Sequence, residues 1–415
     1  MNAEIINIGD ELLIGQTVNT NAAWMGEKLA TIGVAVKRTV VIPDEREDII
    51  SALDSALSRV DLIILSGGLG PTNDDITKSV LAEYFNSPME MNQEVLDRVS
   101  SYFAKWNRPM LESNTLQAML PTKAEVLQNN MGTASGMWFD ENNKVVISVP
   151  GVPFEVKHLM TEMILPKIKT RFKTQAVYHR TVLTCGMGES FLADKLEDWE
   201  KSLSVENIKL AYLPSSDGRL KLRLSSEGET IEPLKTKTKI KVEELKLIIP
   251  ELIYGYDNDR MEDIVGKLLL KNNKRIATAE SCSGGYIAHL LTSIAGSSEY
   301  YQGSAITYSY QSKSHLLKVP HEMILEKGVV SEEVVRQMAL GIFDVFDVDY
   351  SIAVSGIAGP GGGIVGKPVG TVWMAVGTKD KMVTKKFKFG NHREYNIKRT
   401  GIMALNILRQ QLMEI

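Results

Sequence analysis

Short apolar runs alternate with amphipathic ones through the first third of the chain, the signature of strands and helices wound into a mainly parallel sheet. Glu4–Ile8, Val34–Val41 and Leu62–Ser66 read as strands, with helices predicted at Asn19–Thr31 and Arg46–Ser58 between them. In the second helix Ile49, Leu53, Ala56 and Leu57 are spaced for one buried face, and Pro43-Asp44-Glu45 makes a fitting helix start. Val145–Val149 is a further expected strand, ending in P-G-V-P-F-E, and Val156–Arg171 the helix that closes the domain. Around Lys173–Gln175 the pattern changes. Val177–Thr184 and Leu220–Leu224 are expected strands there, and Glu189–Leu203 and Pro233–Ile249 expected helices. This block has no glycine loop, and the polar Tyr256–Arg260 reads as a linker. The α/β rhythm then returns, with strands expected at Lys274–Ala279, Gly303–Thr307, Tyr350–Ser355, Thr371–Val376 and Val383–Phe389, and a last helix at Glu394–Met413. The expected fold class is α/β, with domains at 1–172, 173–256 and 257–415.

Composition narrows the function classes. A length of 415 residues exceeds one ordinary core, and 44% apolar with 24% charged residues is globular rather than disordered. The 47 basic residues nearly balance 51 acidic ones, which argues against general nucleic-acid binding. No apolar run is long enough to span a bilayer, and Glu4 and Asp10 interrupt what a signal peptide requires. Two distant cysteines, Cys185 and Cys282, form no metal-ligand pair, so a reducing, cytoplasmic location is expected.

Chemistry concentrates at predicted strand ends, where ligands bind in open α/β sheets. In the last block these ends are E-S-C-S-G-G (Glu280–Gly285), A-I-T-Y-S-Y-Q-S-K (Ala305–Lys313), S-G-I-A-G-P-G-G-G (Ser355–Gly363) and F-G-N-H-R (Phe389–Arg393). Ser281 is a candidate nucleophile, Lys313 a candidate base once partly desolvated, and Tyr308 a candidate relay. N–H groups at Ser283–Gly285 are candidate oxyanion donors. The glycine loop can approach a phosphate closely, and Arg393 can supply the opposing charge. The plainer alternatives are that Ser281 caps the next helix, that Cys282 is a small buried hydrophobe, and that Arg393 is a solvated charge.

In the first block, I-G-D-E-L-L-I-G-Q-T-V-N-T-N (Ile8–Asn21) puts Asp10 and Glu11 at a strand end, and S-G-G-L-G-P-T-N-D-D-I-T (Ser66–Thr77) adds Gly67, Gly68, Gly70, Asp74, Asp75 and Thr77. Glycines cradle phosphate oxygens while carboxylates hold a divalent ion. Glu155 adds another carboxylate. Acidic helix caps are the plainer reading of Asp74 and Asp75.

Glu280–Gly285, Thr307–Ser309, Ser355–Pro360 and K-P-V-G-T-V-W (Lys367–Trp373) resemble the C-terminal domain of the competence/damage-inducible CinA family. The resemblance implies a nicotinamide-nucleotide amidase without cofactor, with Ser281 as nucleophile and Tyr308 and Lys313 in its activation. It implies nucleotide contacts from Ser283, Gly284, Gly285, Ser355, Gly356, Gly359 and Arg393. Gly390-Asn391-His392-Arg393 is one residue longer than the family's G-x-R spacing, so Lys398 or Arg399 are alternatives, with His392 a further candidate. The first block resembles the molybdopterin-binding fold and the N-terminal domain of the same family. That implies hydrolysis of ADP-ribose-type pyrophosphates with a divalent metal (Mg²⁺ or Co²⁺) and K⁺. Asp10, Glu11, Asp74, Asp75 and Glu155 become candidate metal or water-handling groups, and Asn19, Asn21, Gly67, Gly68, Gly70 and Thr77 candidate nucleotide contacts. The architecture implied is two three-layer α/β domains joined by a small α+β, KH-like middle domain. Lacking a G-x-x-G loop with basic flanks, that middle domain is expected to bind no nucleic acid, and to order the catalytic domains and support a homodimer. Nicotinamide mononucleotide and ADP-ribose are the expected small-molecule partners. The rival from another class is an adaptor that binds a pterin or nucleotide without turnover.

Overall fold

The computed structural model describes residues 1–72, 74–172 and 174–414. Asn73 of the first glycine motif, the expected boundary residue Lys173 and the last residue, Ile415, lie outside them. The chain forms two compact units, Met1–Tyr178 with Glu227–Leu234, and His179–Ser226 with Lys235–Ile415.

The first unit is built on a six-stranded sheet. Its strands are β1 (Asn2–Ile8), β2 (Ala35–Ile42), β3 (Leu62–Ser66), β6 (Glu125–Leu127), β7 (Gly136–Glu141) and β8 (Lys144–Val149), in the order β2-β1-β3-β8-β7-β6. β4 (Met89–Met91) and β5 (Met119–Pro121) make a separate ribbon. β2, β1, β3 and β8 are parallel, while β7 and β6 add antiparallel pairs. Alternation along the strands sorts side chains between two cores. Ile6, Ile63 and Leu65 pack with Ile49 and Leu53 of α3 (Arg46–Leu57), Val80 of α4 (Thr77–Tyr84) and Val95 and Val99 of α5 (Gln93–Lys105). Ile5, Leu62 and Ile64 pack on the other face with Met25 and Leu29 of α2 (Thr20–Ala30), Val156 of α7 (Pro153–Leu159) and Ile168 of α8 (Leu165–Phe172). The short α1 (Asp10–Leu13) follows β1, and α6 (Glu112–Thr115) follows α5. The closing helix expected at Val156–Arg171 is interrupted by a π turn at Met160–Ile164.

In the second unit, β9 (Ala176–Cys185), β10 (Ile208–Pro214), β11 (Arg219–Gly228) and β12 (Ile253–Tyr256) form a sheet in the order β10-β11-β9-β12. Leu192, Leu196 and Trp199 of α9 (Glu189–Val205) and Val242 and Leu245 of α10 (Ile231–Ile248) bury Leu220, Leu222 and Leu224 of this sheet. The larger sheet has the order β14-β13-β15-β16-β17, from β13 (Ile276–Glu280), β14 (Tyr301–Ile306), β15 (Tyr350–Gly356), β16 (Thr371–Gly377) and β17 (Met382–Lys388). Its bulky face, Ile276, Ile352, Val354 and Met374, meets α11 (Met261–Lys271), α12 (Tyr286–Thr292) and α16 (Arg393–Met413). The opposite face presents alanines, Ala277, Ala279, Ala353 and Ala375, to Leu317 of α13 (Tyr310–Leu317), Ile324 of α14 (His321–Lys327) and Val334 and Met338 of α15 (Glu332–Val345). The mixed α/β class with a KH-like middle module is the fold expected from the sequence. Among the described residues no helix is long and apolar enough to cross a membrane.

Candidate active sites

β13, β14 and β15 are parallel, so Glu280-Ser281, Ile306-Thr307 and Ser355-Gly356 leave the sheet at one edge. Glu280 decides the local geometry. Its buried carboxylate accepts hydrogen bonds from the Ser283 hydroxyl at 2.7 Å and from the N–H groups of Gly285, Ile287 and Ala288 at 3.1, 3.0 and 2.8 Å. Glu280 is therefore the cap of α12, and Ser281 is not. The Ser281 hydroxyl instead receives Lys313 Nζ at 2.9 Å, and the same Nζ donates to the Thr307 carbonyl at 2.5 Å. Both side chains are buried, and that burial lowers the Lys313 pKa from 10.5 to about 8. Burial pushes the Cys282 thiol up to about 12, which removes the thiolate a cysteine nucleophile needs.

Three expectations are corrected here. Tyr308 does not join the Ser281–Lys313 pair; its exposed hydroxyl accepts from Arg393 at 2.9 Å. The Ser283 hydroxyl and the Gly285 N–H are committed to Glu280, and the Gly284 N–H to the Ser281 carbonyl at 3.1 Å, so none of these three groups is a free oxyanion or nucleotide donor. Ser355 donates to the Val329 carbonyl at 2.7 Å, while a Cβ on Gly356 would meet Val372 at 2.7 Å, so both serve the packing. Arg393 also donates to the Gly359 carbonyl at 2.8 Å and so ties the glycine loop to Tyr308. Asn396, one turn further along α16, donates to the Ala358 and Gly390 carbonyls at 2.9 and 2.8 Å. No sequence signal marked it. Lys398 pairs with Glu394 and Arg399 donates to the Ser216 carbonyl, so the longer spacing leaves the loop contact with Arg393. His392 stacks on Tyr395.

In the first unit the ends of β1, β2, β3 and β8 converge on a cleft of about 360 Å³ lined by Glu11, Asp44, Gly67, Gly68, Gly70, Asp74, Asp75 and Glu155. Gly67 is required at φ +120°, since a Cβ there would lie 2.1 Å from the Ile8 carbonyl oxygen. Gly68 sits over Thr77, whose buried hydroxyl has no hydrogen-bond partner among the described residues. Asp75 accepts from the N–H groups of Gly70 and Thr72 at 2.8 and 3.0 Å, so it holds the loop and occupies the Gly70 donor expected for phosphate. Asn19 caps α2 through the Ala22 N–H, and Asn21 of α2 donates to the Ser66 hydroxyl at the end of β3 at 3.5 Å and to the Gly151 carbonyl after β8 at 2.7 Å. Neither is a free ligand contact.

Asp44, which the sequence presents only as part of a helix start, faces the cleft. Burial first, then the charges of Asp10, Glu11, Asp75 and Asp74, raise its pKa from 3.8 to about 6. Glu155, expected with those carboxylates, accepts from Asn129 Nδ2 at 2.5 Å, and burial raises its pKa. Among the described residues no three metal-ligating side chains form a ready-made metal shell.

The comparisons agree in all three regions. Residues 4–170 match the "Probable molybdopterin binding domain", 179–255 the "Damage-inducible protein CinA KH domain" and 258–412 the "CinA C-terminal domain". A CinA-like protein of Cytophaga hutchinsonii is 45% identical over 100% of this chain and 98% of its own. One from Flavobacterium psychrophilum is 41% identical over 100% and 99%. A crystal structure of a CinA superfamily protein from Klebsiella pneumoniae is 31% identical over 38% of this chain and 100% of its own, with a TM-score of 0.37. The chain belongs to the competence/damage-inducible CinA family.

Proposed function

We propose that the chain is a bifunctional hydrolase of pyridine-nucleotide recycling. Its C-terminal region deamidates nicotinamide mononucleotide to nicotinate mononucleotide and ammonia. The observation that carries this reading is the buried 2.9 Å contact between Lys313 Nζ and Ser281 Oγ. Neutral Lys313 takes the hydroxyl proton as Ser281 Oγ bonds to the carboxamide carbon. The N–H group of Ser283, which has no backbone acceptor among the described residues, is the oxyanion donor remaining in the turn. The Lys313 proton then passes to the leaving nitrogen, ammonia departs, and water cleaves the acyl ester to release the acid and the serine. Arg393 supplies positive charge for the substrate phosphate. Ammonia release from nicotinamide mononucleotide tests the reading. Ser281→Ala is expected to lose about 10³-fold or more in rate, with Cys282→Ala active. No ammonia from folded wild type, or equal rates in Ser281→Ala, sinks it.

The N-terminal cleft is assigned to cleavage of ADP-ribose-type pyrophosphates. Asp44 with one further cleft carboxylate, Glu11 or Asp74, would hold a divalent cation, which supplies charge neutralisation at the phosphates. A cation shared with substrate phosphates needs only one or two protein carboxylates, so the absence of a closed shell fits. Asp44→Asn is expected to lower metal-dependent turnover of ADP-ribose by about 10²-fold or more while leaving ammonia release intact. Unchanged turnover in Asp44→Asn would remove Asp44 from the site. Binding without any product would favour an adaptor.

A further inference from the structure

Gln117 lies in a 3-10 turn, Leu116–Ala118, on the wall of the N-terminal cleft. The turn is fixed on both sides. Lys78 Nζ donates to the Leu116 carbonyl at 2.8 Å, and the Asn92 N–H to the Ala118 carbonyl at 2.8 Å. The Gln117 side chain is held with it, at 4% exposure, yet neither its amide nitrogen nor its amide oxygen has a hydrogen-bond partner among the described residues. Folding gains nothing from a buried amide unsatisfied at both ends, and such a group on a site wall calls for a ligand.

The chemistry of that ligand follows from the amide and its neighbours. A carboxamide carries no charge, and it offers one donor and one acceptor side by side. It suits a ligand edge with the complementary pair, not a phosphate. Leu69, Ala134 and Val152 line the same cleft and give apolar surface for a ring. Glutamine meets adenine in this way, donating to a ring nitrogen while accepting from the 6-amino group. We infer that Gln117 reads the amino-bearing edge of an adenine base and is the specificity-determining residue of this cleft. The inference rests on the pyrophosphatase reading of the cleft and adds to it a requirement for the base.

The test is calorimetric binding to the full-length protein with Mg²⁺. The ligands are ADP-ribose, its analogue with hydrogen in place of the purine 6-amino group, and nicotinamide mononucleotide, whose carboxamide offers the same donor–acceptor chemistry. Binding of the last is scored in a Ser281→Ala background at the N-terminal cleft, by competition with ADP-ribose. Wild type is expected to bind the desamino analogue about tenfold to a hundredfold more weakly than ADP-ribose. Gln117→Leu should bind the two alike and melt no lower than wild type, since an unpaired amide is replaced by an apolar side chain. If Gln117→Leu keeps the wild-type preference, or wild type shows none, the inference fails while the pyrophosphatase reading stands. Competition by nicotinamide mononucleotide that disappears in Gln117→Leu moves the assignment from adenine to carboxamide. If ADP-ribose does not bind wild type at all, both readings fall.

Discussion

Lys313 shows what burial does to one residue. Burial with no carboxylate partner among the described residues disfavours its ammonium, and its pKa falls to about 8. A base must be neutral, so kcat/KM for ammonia release should rise with pH through about 8. Lys313→Met should lose about 10²- to 10⁴-fold and show no inflection there. A wild-type profile flat from pH 6 to 9.5 would exclude Lys313 as the base. Stability carries the opposite sign to that of a paired lysine. The folded pKa lies below the unfolded value, so between about 8 and 10.5 the unfolded chain binds more protons and stability rises with pH. Below pH 8 the full penalty is present, so the Tm of wild type relative to Lys313→Met should rise as pH climbs from about 8 to 10.5. At this scale the sequence singles out Ser281 and Lys313, which the structure brings to 2.9 Å of each other, because their residue types are reactive. It missed Asp44 and Gln117 because an aspartate after proline and a lone glutamine look the same whether or not they face a cleft.

Among elements, α12 depends on a residue outside itself. Glu280, the last residue of β13, reaches past the glycine turn to take three backbone N–H groups and a hydroxyl. Glu280→Ala would leave those donors unpaired in a buried turn, at about 2–4 kcal/mol, visible as a lower Tm for the transition of the second unit. Amidase activity should fall with it, since the same turn carries Ser281. An unchanged Tm would mean that the cap is dispensable. The strand–glycine–helix corner was legible from the motif alone, but the identity of the cap was not. Serine and glutamate both carry an oxygen that can cap, and the longer side chain prevails only because the turn folds back over it. Elements between Tyr84 and Gly136 also escaped. Three-residue strands such as β4, β5 and β6 are too short to show a period, and no expectation was formed for α5 although it is amphipathic.

For the whole molecule, the second unit is held by a charge that only tertiary structure can satisfy. Arg409 of α16 is buried with no carboxylate partner among the described residues. It donates to the Ile253 and Glu251 carbonyls at 3.0 and 2.8 Å and to Asn406 Oδ1 at 3.0 Å, fastening the middle module to the C-terminal helix. Arg409→Ala should cost about 2–4 kcal/mol by leaving those acceptors buried and unpaired, read as a fall in the Tm of that unit. Unaltered melting would show that apolar packing alone fixes the module. Sequence by itself determined the α/β class, the positions of most strands along the chain and the motifs at their ends, because period, glycine and proline act over a few residues. Tertiary structure decided which polar groups are spent on caps and packing, as at Ser283, Ser355 and Asp75, and which are brought together buried, as Ser281 and Lys313 are. The reason is that a hydrogen bond between residues distant in sequence exists only once the sheet edges have met, and burial, which tunes the lysine, is a property of that assembly.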